Sequence, residues 1–148
     1  MKGFTLIELL VVIAIIGIVT AVAAVNLMPS DAEVARREAG LLAMSIEKAR
    51  DAAWFGGRPT AVSFEDGRLR QWRLAPDRTW QPDASSDRPL GEAQVTALHI
   101  EGEALATNQR LVFLSDGFVT PFRVALEIRG IPRAIEGDAA GALVVRDR

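Results

Sequence analysis

The chain contains no cysteine and only one histidine, His99, among its 148 residues. Disulfide bonds and thiolate metal sites are therefore excluded, and the histidine spacing typical of metal sites is missing. Aromatic residues make up 6% of the chain, with no basic motif between them, so a stacking platform for single-stranded nucleic acid has little support. The formal net charge of −2 likewise gives no general basis for nucleic-acid binding.

Catalytic motifs are also missing from the sequence, which has neither a nucleophile elbow nor a glycine-rich phosphate loop. The candidate catalytic groups are His99, Ser115, Asp116, Glu101 and Glu103. The pattern around His99 predicts a strand residue that is partly exposed or at an edge, and Ser115 and Asp116 are explained by a turn. We therefore predict a protein that is not an enzyme and that needs no cofactor or metal.

A long apolar run near the N-terminus carries a single carboxylate. Thr20 is the only polar residue from Leu9 to Val25, and from Phe4 onward the run has the roughly 20-residue length needed to span a bilayer. Glu8 lies inside this run, where an ionised carboxylate costs about 2.5 to 3.5 kcal/mol. Either Glu8 reaches the lipid head groups, or it has a partner that neutralises it.

A secretory signal peptide fits this order of residues poorly. Only three residues precede the apolar run, and a cut behind the run, near residues 21 to 24, would remove the whole anchor. Such a cut is a formal alternative.

The segment from Gly3 to Val12, GFTLIELLVV, resembles the class III leader junction of type IV pilins and type II secretion pseudopilins. The resemblance implies that a prepilin peptidase on the cytoplasmic side cuts between Gly3 and Phe4 and then methylates the new amine of Phe4. That α-amine could form an ion pair with Glu8 of an adjacent subunit, which would solve the burial problem and guide assembly.

The same resemblance predicts the organisation of the chain. A leader peptide occupies residues 1–3, a transmembrane helix 4–25, an amphipathic continuation of the helix 26–55, and a periplasmic β-rich domain 58–148. Lys2 alone is weak evidence for orientation under the positive-inside rule. The predicted location, the inner membrane with a single pass and a periplasmic C-terminal domain, therefore depends mainly on the junction.

A second helix is predicted beyond the anchor. Pro29 interrupts the helical pattern, Ser30 or Asp31 can cap a restart, and Gly56-Gly57 should end the helix after about Trp54. Apolar residues recur at steps of four and three and should face a core. These residues are Ala35, Ala39, Leu42, Ile46, Ala49 and Ala53.

The remaining chain shows strand patterns that favour an α+β fold, a long helix packed on antiparallel sheet. The Asp66-Gly67 turn should join strands at 60–65 and 68–74. Further strands are predicted at 95–100, 110–114 and about 142–145, and alternation from Phe122 to Ile128 predicts one buried face. Gly130, Pro132 and the glycines from 137 to 141 break the pattern before the last strand.

Two finer predictions concern the first half of this region. We expect Trp72 and Trp80, near the first hairpin, to lie in the core rather than to bind ligands. The polar segment 82–89 should be an exposed loop, and its two aspartates are better explained by solvation than by calcium binding.

The segment from Val112 to Leu126, VFLSDGFVTPFRVAL, resembles the H-type minor pseudopilin, and residues 41–57 are similar to the end of that family's helix. The resemblance implies two sheets and a minor subunit of the short periplasmic filament that helps to export folded proteins across the outer membrane. Implied partners are the prepilin peptidase, the major and other minor pseudopilins, the inner-membrane assembly platform and secreted cargo.

Two alternatives stay open at this point. A minor pilin of a type IV pilus, acting in pilus assembly or DNA uptake, would cluster arginines such as Arg123, Arg129 and Arg133 on one face. A simple membrane-anchored domain would not interact with pilin-like helices.

Overall fold

The computed structural model describes residues 5 to 26 and 29 to 147. The chain divides into two compact units, Met1–Ser30 and Asp31–Arg148, which are described separately. The sequence-based predictions for residues 1 to 4 lie outside the described residues.

In the first unit the structure describes the helix α1 (Leu6–Asn26). Its stretch Leu6–Ala24 is long and apolar enough to cross a membrane, and none of it is buried within the protein. A helix satisfies its own backbone hydrogen bonds, which lipid cannot do. An exposed apolar helix of this kind therefore fits a membrane anchor.

The second unit begins with α2 (Asp31–Gly56). Its predicted apolar stripe is confirmed, because all six residues are at most 1% exposed. Gly57 follows the helix with φ of +62°, a conformation that glycine adopts at little cost and that commonly ends helices. The predicted end of the helix is therefore confirmed as well.

In the described part of the chain, ten strands follow α2, and all of their pairings are antiparallel. They are β1 (Thr60–Glu65), β2 (Arg68–Leu74), β3 (Trp80–Pro82), β4 (Arg88–Pro89), β5 (Ala93–Ile100), β6 (Glu103–Leu105), β7 (Leu111–Phe113), β8 (Phe122–Ile128), β9 (Ile131–Gly137) and β10 (Leu143–Asp147). Sheet 1 has the order β3-β2-β1-β7, with β4 also paired to β2, and sheet 2 has the order β10-β9-β8-β5-β6. The predicted α+β fold with two sheets is confirmed.

One hydrophobic core lies between α2 and the two sheets, since α2 contacts strands of both. Phe113 of β7 and Phe122 of β8 meet edge to face, with ring centroids 6.2 Å apart, so the two sheets also pack on each other through aromatic residues. The predicted alternation in β8 is confirmed, because every second residue from Phe122 to Ile128 is buried.

The prediction that both tryptophans lie in the core is wrong. In β2, Leu69 and Gln71 are the buried residues, so Trp72 points to the other face of sheet 1 and is only half-buried, as is Trp80. The Trp72 indole N–H donates to Ser63 Oγ at 2.9 Å, and the guanidinium of Arg110 lies 4.1 Å from the ring centroid. Trp72 therefore lies under a cation–π contact on this other face of sheet 1, and not in the hydrophobic core as predicted.

The segment 82–89 is more ordered than the predicted loop. It contains the end of β3, a short 3₁₀ helix at Ala84–Ser86 and all of β4. Asp87 accepts the backbone N–H of Gln71 at 3.0 Å, and Asp83 pairs with Arg73 at 2.8 Å. The Ser85 hydroxyl donates to Asp83 and lowers the pKa of that carboxyl, with a further contribution from Arg73. The two aspartates therefore hold the segment against β2.

The break predicted around Pro132 is wrong, because this residue lies within β9. Pro132 pairs with Glu127 of β8, and within the described residues the ladder between β9 and β10 covers Arg133 to Gly137. Pro132 is the second residue of β9, and proline is tolerated near the start of a strand.

Candidate functional site

The predicted assembly residue, Glu8, lies in the first turn of α1. Its backbone N–H donates to the Thr5 carbonyl at 3.1 Å and lies 3.4 Å from Thr5 Oγ1. Thr5 directly precedes the first helical residue, so the two residues stand at the N-cap and N3 positions of a capping-box pattern. A carboxylate in the first turn is also stabilised by the positive end of the helix dipole.

The carboxylate of Glu8 has no cationic partner within its own helix. Residues 5 to 26 contain no lysine, arginine or histidine, and the side chains from 5 to 24 are all exposed. A counter-charge for Glu8 in an apolar environment must therefore come from outside the described anchor. Gly3 and Phe4, the predicted processing residues, lie outside the described residues, and their roles stay predictions.

The hydroxyl of Thr20, the one polar residue between Leu9 and Val25, is hydrogen-bonded within its own helix. Its Oγ1 donates to the Ile16 carbonyl at 2.7 Å and lies 3.0 Å from the carbonyl of Gly17. Back-bonding of this kind lets threonine lie in an apolar helix without a partner from elsewhere. Thr20 and Glu8 therefore differ sharply in what they need from their surroundings.

The residues weighed as catalytic candidates lie in two regions, with His99, Glu101 and Glu103 in β5, the following turn and β6, and with Ser115 and Asp116 in the turn after β7. His99 is a half-buried residue of β5 paired with Arg123 and Ala104, so it is partly exposed as predicted but not on an edge strand. Asp116 accepts the N–H of Phe118 at 3.0 Å in the turn after β7. Within residues 5–26 and 29–147, no three acidic or histidine side chains group closely enough to hold a metal ion.

The outer face of sheet 2 forms a groove of about 1020 Å³ that the sequence did not reveal. Ala97, Ala125 and Ala134 stand in register across β5, β8 and β9, and two of them, Ala97 and Ala125, line the groove. At one side Glu136 accepts from Arg123 at 3.0 Å and from Arg146 at 2.7 Å. In the sequence only the alternation of β8 indicates this face, since the strand at 95–100 is predicted without an assigned face and β9 is not predicted.

An exposed aromatic cluster lies at the end of α2. Trp54 and Phe55 are 59% and 80% exposed, and their rings stack with centroids 5.3 Å apart. Gly117 lies against the Trp54 indole, and the next residue, Phe118, is 73% exposed. Exposed aromatic residues in contact with one another are typical of protein-binding surfaces.

The three arginines considered for DNA binding all face carboxylates. Arg123 pairs with Glu136, Arg129 with Asp31, and Arg133 with Asp147, each at 3.0 Å. Phosphate binding depends on cations that can release counterions on contact with DNA. Arginines already neutralised by the protein's own acids are poorly suited to that role.

Two family models match the sequence in separate segments. Residues 1–24 match the prokaryotic N-terminal methylation motif, and residues 38–144 match the type II transport protein GspH. The chain is also similar to type II secretion system protein H of Escherichia coli strain K12, with 28% identity over 142 residues, covering 87% of this chain and 82% of the relative.

Solved structures of minor pseudopilins share the fold. The pseudopilin EpsH of Vibrio cholerae superposes with a TM-score of 0.55 at 21% identity, covering 73% of this chain and 94% of that one. The solution structure of Escherichia coli GspH gives a TM-score of 0.55 at 23% identity, with coverages of 76% and 87%. The two-sheet architecture packed on a helix is therefore the architecture of these structures.

Proposed function

Since the chain belongs to the GspH family of type II transport proteins, a family of structural pseudopilins, we propose that it is a minor subunit of the type II secretion pseudopilus. In this role it is processed by prepilin peptidase, built into a short periplasmic filament, and helps to export folded proteins across the outer membrane. The observation that carries this proposal is the presence of the N-terminal methylation motif and the GspH domain in one chain.

Inner-membrane anchoring is the starting state of this subunit. The apolar α1 and the methylation motif fit an anchor in that membrane with a periplasmic domain. We propose a single pass, with the leader on the cytoplasmic side and the unit from residue 31 in the periplasm. Its partners are then the peptidase, other pseudopilins and the membrane assembly platform.

Processing is proposed between Gly3 and Phe4, and the mature N-terminus provides its test. Mass spectrometry of the protein from cells with the peptidase should show a chain that starts at Phe4 with one methyl group on its α-amine. In a strain without the peptidase the chain should start at Met1. A mature chain that starts at Met1 in both strains, or one cut near residues 21 to 24, would contradict the proposal.

The proposed role in export is tested by deleting the gene for this protein in its natural host. Deletion should leave exoproteins that use the type II route folded in the periplasm, with secreted amounts at least about tenfold lower, because the filament lacks a subunit. A plasmid copy should restore secretion. Normal secretion together with a loss of surface pili or DNA uptake would instead place the protein in a type IV pilus.

A further inference from the structure

The first turn of α2 is tied to sheet 2 through an arginine in the turn between β8 and β9. Arg129 Nη1 donates to Asp31 Oδ1 at 3.0 Å, and its Nη2 donates to Glu92 Oε1 at 2.8 Å. The Arg129 Nε also donates to the second oxygen of Glu92. One guanidinium thus joins the first residue of α2 to the segment before β5, using the fork geometry that lysine cannot reproduce.

A second arginine reaches the same turn of the helix. Arg133 of β9 has a side chain that is 10% exposed, and its Nη2 donates to the Ala32 carbonyl at 3.4 Å. Its Nη1 pairs with Asp147 of β10 at 3.0 Å. We call Arg129 and Arg133, with Asp31 and Glu92, the N-terminal clamp.

The clamp fixes the position of the start of α2 more than it adds to the free energy of unfolding of the domain. Most of its ion pairs are exposed, and pairs of this kind add little to the free energy of unfolding. Arg133 Nε is moreover buried without a partner among the described residues, which offsets part of any gain. The arginine contact lowers the pKa of Glu92 and raises that of Arg129, so both groups carry their charge at neutral pH.

Helix ends open more easily than helix centres, because few buried contacts hold them. The core contacts of α2 begin with Val34 and Ala35, so Asp31 and Ala32, which the clamp contacts, precede the buried part of the helix. Asp31 is also the first residue of the second unit in the chain.

We propose that Arg129 and Arg133 are positioning residues for assembly. They hold the start of α2 on sheet 2, so that every copy presents its β-domain in one orientation relative to the beginning of that helix. This inference rests on the proposed filament function, because a fixed orientation matters only where subunits stack.

Hydrogen exchange on the detergent-solubilised full-length chain tests the local step. In an Arg129→Gln/Arg133→Gln variant, amides 35 to 38, which bond to the carbonyls of residues 31 to 34, should exchange about tenfold faster. Amides around Leu42 and Ile46 should keep the wild-type rate. The control is Arg123→Gln, which removes an arginine of sheet 2 that is about as exposed as Arg129 and pairs with Glu136, and which should leave amides 35 to 38 unchanged.

A charge exchange tests whether the contact is direct. In a Glu92→Gln background, Asp31→Arg and Arg129→Glu should each speed exchange of amides 35 to 38, and the two together should restore about half of the lost protection. Additive effects without restoration would contradict a direct clamp.

Secretion separates this inference from the proposed function. The double glutamine variant should be present at wild-type level and be processed, yet secrete at least about threefold less than Arg123→Gln. If deletion of the protein leaves secretion normal, the proposed function fails. If deletion stops secretion but the clamp variant exchanges and secretes like wild type, the clamp inference alone is overturned.

Discussion

Replacing Glu8 with valine should leave the protein inserted and cleaved but reduce its incorporation into filaments by more than about tenfold. The physical reason is the cost of about 2.5 to 3.5 kcal/mol for an ionised group in lipid. An α-amine at Phe4 and the Glu8 carboxylate of a neighbour can each remove that cost for the other. Valine leaves the neighbour's amine without its partner, whereas insertion becomes easier because the helix loses its only acid.

Thr20→Val is the matched control for this experiment. It also removes one polar group from α1, but the Thr20 hydroxyl is satisfied within its own helix, so filament incorporation should stay within about twofold of wild type. Glu8→Gln keeps the size of the side chain and loses the charge, and should behave like valine. Incorporation can be measured by cross-linking to the major pseudopilin, with a single introduced cysteine, because the chain has none. Wild-type cross-linking by both Glu8 variants would refute the pairing role.

Local signals in the sequence predicted local structure well. The stripe of α2 depends on spacing within one helix, and the Asp66-Gly67 hairpin depends on two residues that adopt positive φ, here +53° and +66°. Glu8 was identified for the same reason, since an acid in an apolar run stands out without knowledge of the fold. Its predicted role in assembly still awaits the experiment above.

The sequence does not predict two other hairpins, although their turn residues adopt the same positive-φ backbone conformation. Glu101-Gly102 joins β5 to β6, and Arg129-Gly130 joins β8 to β9, all four residues with positive φ. Glutamate and arginine are uncommon at the first position of such a turn, so neither dipeptide indicates a hairpin from the sequence alone. Because the sequence does not indicate β9, it does not show that β8 and β9 share the outer face of sheet 2.

Contacts between distant residues could not be predicted at all. Arg129 lies 98 positions from Asp31 and 37 from Glu92, and no spacing rule connects them. The clamp depends on the order of strands in sheet 2, which places the β8–β9 turn beside the start of α2. Strand order follows from packing of the whole core, so the clamp became visible only in the structure.

Gly137→Ala should lower the free energy of unfolding by about 3 kcal/mol, an overpacking cost at the upper end of the usual range. Gly137 pairs with Phe122 across β8 and β9, and the ring lies over the glycine. A Cβ at this position would lie 2.1 Å from Phe122 Cε1. The ring has little room to move away, because it is 4% exposed and packs against Phe113, which is fully buried.

Gly40→Ala makes the same chemical change with the opposite expected sign. Gly40 lies inside α2, and a Cβ there would meet nothing within 4 Å, so the helix should gain about 1 kcal/mol from alanine's better propensity. Thermal unfolding of the full-length chain, followed by tryptophan fluorescence, should show a midpoint roughly 10 °C lower for Gly137→Ala and a few degrees higher for Gly40→Ala. Adding Phe122→Leu to Gly137→Ala should cost less than the sum of the single changes, because the smaller side chain relieves the contact. Strict additivity would show that contact with the ring does not determine the cost.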